Sequence, residues 1–127
     1  MMKFNTLKEA AQFRIRENED DYWIKDYWKA AIEIFTKNCN ETIKFFQNEC
    51  TDEEFYWLSE IFEKIAEITQ SKELVSALHS RLLKVTPENY NQQAFASEHM
   101  KKMVDYNEYV REISEEIEFA EGKIESA

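Results

Sequence analysis

Glycine and proline are almost absent from this chain: Gly122 and Pro87 are its only examples in 127 residues. The hairpins of β-sheet proteins need such residues, because Gly, Asn and Pro supply the backbone angles that tight turns require. A chain of average composition would contain several times more of them. The sequence therefore predicts an all-α protein.

Length and hydrophobic content predict a single helical domain over residues 1–127, since domains usually run to about 100–150 residues. Hydrophobic residues make up 43% of the chain and aromatic residues 14%, which is enough for a core although 33% of the residues are charged. We expect an antiparallel bundle of five to six helices or a short stack of helical hairpins.

Apolar periodicity places helices over residues 21–37, 41–48, 51–69, 71–84, 88–103 and 105–124, with an irregular stretch near 89–93. Residues 1–18 are expected to form a short helix or an arm. Thr51 begins a capping box, in which its hydroxyl and the Glu54 carboxylate each accept from the other residue's backbone N–H. Thr86 and Pro87 give a second start signal, because proline at the first helical position loses no hydrogen bond.

The sequence predicts no catalytic residue, no metal site and no cofactor. Cys39 and Cys50 are too few for a disulfide framework, so we expect reduced thiols in a cytoplasmic protein. Neither His79 nor His99 stands at a metal-binding spacing, and no run approaches the ~20 apolar residues of a membrane span. An enzyme is the least favoured class.

Negative charge is concentrated in two blocks of the chain. The net charge is −10; residues 19–70 hold five basic and thirteen acidic residues, and residues 105–127 hold two and eight. Residues 1–18 and 71–104 are mildly basic. This balance argues against nucleic acids and anionic membranes as direct partners and leaves basic proteins, cations or no partner.

The helix over residues 51–69 carries a ladder of acidic residues beside consecutive aromatic residues. On a helical wheel its core face comprises Phe55, Leu58, Ile61, Phe62, Ile65 and Ile68. Tyr56 then lies on the far side of the helix, with Trp57 at the boundary. The carboxylates in line with Tyr56 are Glu60, Glu63 and Glu67.

The last helix repeats this arrangement, with Phe119 opposite the apolar stripe and in line with Glu108, Glu112 and Glu115. We interpret both ladders as partner-binding surfaces. The alternative is that the charges form ordinary solvated faces, and that a second layer of helices covers the rings.

The stretches CTDEEFYWLSEIFEKIAEITQS, KVTPENYNQQAF and YNEYVREISEEIEFAEG resemble those of small acidic helical immunity proteins from bacterial polymorphic-toxin and contact-dependent growth inhibition systems. The resemblance covers most of the chain from about residue 20 and is one of type: size, helical content, acidity and exposed aromatics. It implies a cognate toxin domain as partner, often a basic nuclease, and transfers no functional residue.

We therefore expect a non-enzymatic protein that neutralises a toxin, as a monomer or weak homodimer, with carboxylates that steer the encounter and aromatic side chains that slow dissociation. One alternative is an acidic mimic of nucleic acid that blocks DNA-binding proteins. Another is a helical adaptor or scaffold subunit whose aromatic residues mediate contacts between copies.

Overall fold

A computed structural model describes residues 2–17 and 22–125, and every regular element within them is helical, which confirms the all-α prediction. The α-helices are α1 (Leu7–Arg16), α2 (Ile24–Lys37), α3 (Cys39–Lys44), α4 (Asp52–Leu58), α5 (Phe62–Thr69), α6 (Lys72–Leu83), α7 (Pro87–Gln92), α8 (Glu98–Met103) and α9 (Tyr106–Gly122). A π-helical turn, Phe45–Glu49, continues α3, and a 3₁₀ turn, Ser59–Ile61, joins α4 to α5. None of the described helices has both the length and the apolar character of a membrane span.

Five rods account for most of the described chain: α1, α2, α4 together with α5, α6, and α9. The predicted five to six helices approximate this arrangement, but the single helix predicted over residues 88–103 is divided into two six-residue helices, α7 and α8. Residues 1, 18–21 and 126–127 of the predicted domain lie outside the described residues, as does the predicted start of the second helix at residue 21.

Ring contacts show that the first two rods are antiparallel. Phe13, near the end of α1, lies 5.1 Å from Trp23 just before α2, whereas Phe4, before α1, lies 5.6 Å from Tyr27 within α2. Buried residues from nearly every helix then join one hydrophobic cluster. Its centre is a set of aromatic rings whose neighbours are 5.3–6.0 Å apart: Phe35, Phe45, Phe46, Phe55 and Phe62.

The start signals predicted at Thr51 and at Thr86 with Pro87 are confirmed. Thr51 Oγ1 accepts from the N–H of Glu54 at 3.1 Å, and Glu54 Oε1 accepts from the N–H of Thr51 at 2.9 Å, which completes the capping box. Thr86 caps α7 with Pro87 at the first helical position.

The irregular stretch after α7 begins later than predicted. The helix continues to Gln92, and the break falls at residues 93–97 instead of 89–93. Glu53 explains this position, because its carboxylate accepts from the backbone N–H groups of Ala96 and Ser97 at 2.9 and 2.8 Å. These contacts span more than 40 residues of sequence and satisfy donors that a helix would otherwise use.

Five of the six residues predicted to form the core face of residues 51–69 are buried: Phe55, Leu58, Ile61, Phe62 and Ile65. The sixth prediction is wrong, since Ile68 is 51% exposed. Ile68 lies in the last turn of α5, one residue before the helix ends at Thr69, whereas Phe62 and Ile65 earlier in the same helix are buried.

The last helix packs as predicted, with the centre of its apolar stripe fully buried: Tyr109, Ile113, Ile117 and Ala120. Both cysteines are free thiols. Burial, the largest effect, raises the pKa of the Cys50 thiol to about 11, and its Sγ donates to the Phe46 carbonyl. Cys50 is therefore a protonated packing residue at neutral pH.

Candidate functional site

The three consecutive acidic residues that begin α4 bind other parts of the same chain. Asp52 Oδ1 lies 2.5 Å from Arg81 Nη2 on α6, and Glu54 Oε1 lies 2.8 Å from Lys8 Nζ on α1. Glu53 binds the loop before α8 through two backbone N–H groups. These three carboxylates hold helices together and are not available as a surface for a partner.

The mildly basic segments of the sequence supply cations to these internal contacts. Besides its ion pair, Lys8 donates to the Glu49 carbonyl at 3.3 Å. Arg81 donates to the Cys50 carbonyl at 3.1 Å, and Lys84 donates to the Gln47 carbonyl at 2.9 Å. Together they satisfy free carbonyl groups at the end of the π-helical turn, so these cations do not form a separate basic face.

The two predicted acidic ladders lie side by side. Tyr56 Oη on α4 donates to Glu112 Oε2 on α9 at 2.5 Å, and Lys123 Nζ lies 3.4 Å from Glu63 Oε1 on α5. From the first of these contacts to the second, the residue number increases on both partners, from 56 to 63 and from 112 to 123. The α4–α5 rod and α9 therefore run parallel. We call the resulting surface the acidic face; its carboxylates are Glu60, Glu63, Glu67, Glu108, Glu112, Glu115 and Glu116.

Glu116 belongs to this surface although the sequence analysis missed it. Partial burial raises the pKa of the Glu116 carboxyl most, followed by the negative charges of Glu63, Glu115 and Glu60. Glu116 follows Glu112 by four residues on the same helix, and this spacing indicates that the two carboxylates lie on the same face. The predicted ladder runs from Glu112 through Glu115 to Phe119 instead.

Among the side chains that the structure describes, the counter-ions of the acidic face lie on its α5 side. Arg14 Nε lies 2.7 Å from Glu60 Oε1, and both side chains are largely buried. Lys64 lies 2.7 Å from Glu67 in an exposed pair, and Lys123 adds a looser contact to Glu67 at 3.7 Å.

The α9 side carries the uncompensated charge. Among the side chains of residues 2–17, 22–100 and 102–125, no cation lies within 4.0 Å of its four carboxylates, which are Glu108, Glu112, Glu115 and Glu116. These groups also repel one another at helical spacings of three and four residues.

Aromatic side chains form one end of the acidic face, which we call the aromatic corner: Tyr56, Trp57 and His99. The Tyr56 and Trp57 ring centroids are 5.6 Å apart with ring planes at 84°, and His99 lies 5.5 Å from Trp57. The Trp57 indole N–H is buried and has no hydrogen-bond partner among the described residues.

Tyr56 is not on a free face, contrary to the wheel. It is half-buried because α9 covers it: its ring stacks on Tyr109 at 5.8 Å. Burial and the hydrogen bond to Glu112 raise the pKa of the phenol, so Tyr56 remains a donor to that carboxylate. Phe119 agrees with the prediction, since it is 56% exposed.

Other parts of the molecule offer little chemistry. A cleft of about 740 Å³ lies between the N-terminal segment, α2 and α3, and another of about 490 Å³ surrounds Asp52 and Arg81. Neither is lined by residues of the acidic face. Within residues 2–17 and 22–125, no group of three or more His, Cys, Asp or Glu side chains is placed to hold a metal ion.

The arrangement therefore joins a negative surface to exposed and half-buried rings, a combination suited to binding another protein. Comparisons of the chain with models of protein families, with curated proteins and with solved structures found no match.

Proposed function

We propose that this protein binds a basic protein through the acidic face, and that the partner is a cognate bacterial toxin domain which it neutralises as an immunity protein. The observation that carries the proposal is the set of four α9 carboxylates, which have no counter-ion within 4.0 Å among the side chains of residues 2–17, 22–100 and 102–125. The resemblance to acidic helical immunity proteins supports the identity of the partner.

The two sides of the acidic face have different roles in this proposal. The α9 carboxylates attract Lys and Arg side chains of the partner and raise the association rate, an effect that salt screens over a Debye length of about 10 Å at 0.1 M. Phe119 is the exposed ring that a partner can bury. Glu60 contributes less to steering than its position in the sequence implies, since Arg14 already neutralises it.

Co-expression tests the proposal directly. The product of the neighbouring reading frame, as the candidate toxin, is expressed with and without this protein, and growth is measured. We expect growth arrest with the toxin alone and rescue by the parent protein.

A charge-reversal pair tests the surface. Glu108→Lys with Glu115→Lys should abolish rescue, whereas the matched control Glu41→Lys with Glu88→Lys changes the same net charge at exposed positions on α3 and α7 and should retain it. Equal rescue by both pairs would place the binding surface elsewhere. Binding to unrelated DNA-binding proteins in competition with DNA would favour a mimic of nucleic acid.

A further inference from the structure

The aromatic corner already binds one guanidinium group, that of Arg14 in the same chain. The Arg14 guanidinium carbon lies 4.7 Å from the centre of the Trp57 ring. Its Nε donates to both oxygens of Glu60, at 2.7 and 3.1 Å. The Trp57 ring and the Glu60 carboxylate at this end of the acidic face therefore bind a guanidinium group by stacking and by hydrogen bonding.

Tyr56 and His99 also lie beside the Trp57 ring. The Tyr56 and Trp57 rings are nearly perpendicular, and exposed His99 lies 6.5 Å from Tyr56 and 5.5 Å from Trp57. A planar guanidinium can stack on one ring of such a corner while its N–H edge points at an acceptor. A lysine ammonium group is a compact, strongly hydrated charge and gains less from the same rings.

The acceptor for this second guanidinium is Glu112. Its Oε2 accepts from Tyr56 Oη at 2.5 Å, which fixes the carboxylate beside the ring, and its other oxygen retains acceptor capacity. Glu108 adds negative charge, because it too acts on the Tyr56 phenol. Glu60 is already occupied by Arg14.

We propose that the partner presents an arginine side chain at the aromatic corner, stacked on the Tyr56 ring beside Trp57 and hydrogen-bonded to Glu112. This inference rests on the proposed function and specifies the chemistry of the partner. Such a contact would make the acidic face select arginine over lysine at one position of the partner. Net charge alone does not produce this selectivity, because the two side chains carry the same charge.

Two peptides of equal length and charge test the selectivity. One is an acetylated, amidated alanine–arginine peptide, and the other replaces each arginine with lysine. The three tryptophans give separate indole N–H signals in a ¹H–¹⁵N spectrum, so Trp57 reports the corner while Trp28 on α2 serves as an internal control.

We expect the arginine peptide to shift the Trp57 signal and to bind about fivefold more tightly than the lysine peptide, which corresponds to about 1 kcal/mol for a cation–π contact. Glu112→Gln should remove this preference, whereas Glu118→Gln, at an exposed position of the same helix, should leave it unchanged. Equal affinities, an unmoved Trp57 signal, or a preference that survives Glu112→Gln would overturn the inference.

The outcomes separate this inference from the proposed function. If both peptides bind equally and Glu108→Lys with Glu115→Lys abolishes both interactions, the acidic face binds basic partners without arginine selectivity. If the peptides show the expected preference but the protein fails to rescue growth, the corner recognises arginine and the toxin partner is wrong.

Discussion

Replacement of Arg14 by methionine measures how strongly the ion pair between α1 and the 3₁₀ turn stabilises the fold. Methionine keeps most of the apolar stem but removes the charge. The change loses a charge-assisted hydrogen bond to Glu60, worth about 1.5–3 kcal/mol, and a cation–π contact with Trp57, worth about 0.5–1 kcal/mol. The Glu60 side chain keeps 22% of its exposure and can regain some water, so we expect a net loss of about 2–3 kcal/mol.

Urea unfolding followed by far-ultraviolet circular dichroism measures this loss through the midpoint and slope of the transition. A double-mutant cycle with Glu60→Gln isolates the pair from the other effects of each substitution. We expect a coupling energy above about 1 kcal/mol, because Arg14 and Glu60 are both largely buried.

The exposed pair of Lys64 and Glu67 is the matched control. Its N–O distance is also 2.7 Å, but both side chains are more than 40% exposed. Its cycle, with Lys64→Met and Glu67→Gln, should give a coupling energy that is not distinguishable from zero, because solvent screens both charges. Equal coupling energies for the two pairs, or a loss below about 1 kcal/mol for Arg14→Met, would refute the reasoning from burial.

Three further predictions concern core packing, pH dependence and surface exposure. Ile61→Asp should abolish cooperative unfolding in circular dichroism, because Ile61 is 2% exposed and the new carboxylate would have no partner. Glu116→Gln should raise the free energy of unfolding at pH 7 by about 0.5 kcal/mol. The pKa of the Glu116 carboxyl is raised in the folded protein, so the parent loses stability as this group ionises with rising pH, and Gln cannot ionise. This gain should disappear below about pH 4, where the parent carboxyl is protonated in both states; urea titrations at several pH values decide, and a pH-independent gain would contradict the assignment. Phe119→Ala should change the free energy of unfolding by less than about 0.5 kcal/mol, because Phe119 is 56% exposed. Tyr56→Ala should lower it by about 2 kcal/mol, because Tyr109 of α9 covers the Tyr56 ring. Equal losses in thermal unfolding would show that Phe119 is also packed.

Features that depend on local sequence could be predicted, whereas contacts between distant residues could not. The Thr51–Glu54 capping box involves residues three positions apart, and the apolar stripe of α9 repeats within one helix. The Arg14–Glu60 pair joins residues 46 positions apart, and the Tyr56–Glu112 bond joins residues 56 positions apart. A helical wheel describes one helix in isolation and has no information about which helix covers its outer side.

The candidate site shows the same division. Periodicity identified both acidic ladders, but nothing in either helix indicated that the ladders would be adjacent. The helical wheel also gave no reason to distinguish Glu60, Glu63 and Glu67 from one another. The fold separates Glu60, which a largely buried arginine holds, from Glu63 and Glu67, whose contacts with Lys123 are loose.

The negative charge of this protein thus acts in two opposite ways. Carboxylates at the start of α4 stabilise the fold through cations and backbone N–H groups of other helices. Carboxylates on α9 repel one another in the free protein, and salt weakens that repulsion. A basic partner would relieve it, and would stabilise the folded state by about 2.7 kcal/mol when present at a hundred times its dissociation constant. Salt should therefore raise the melting temperature of the free protein slightly while it weakens the complex, because the same α9 carboxylates govern both effects.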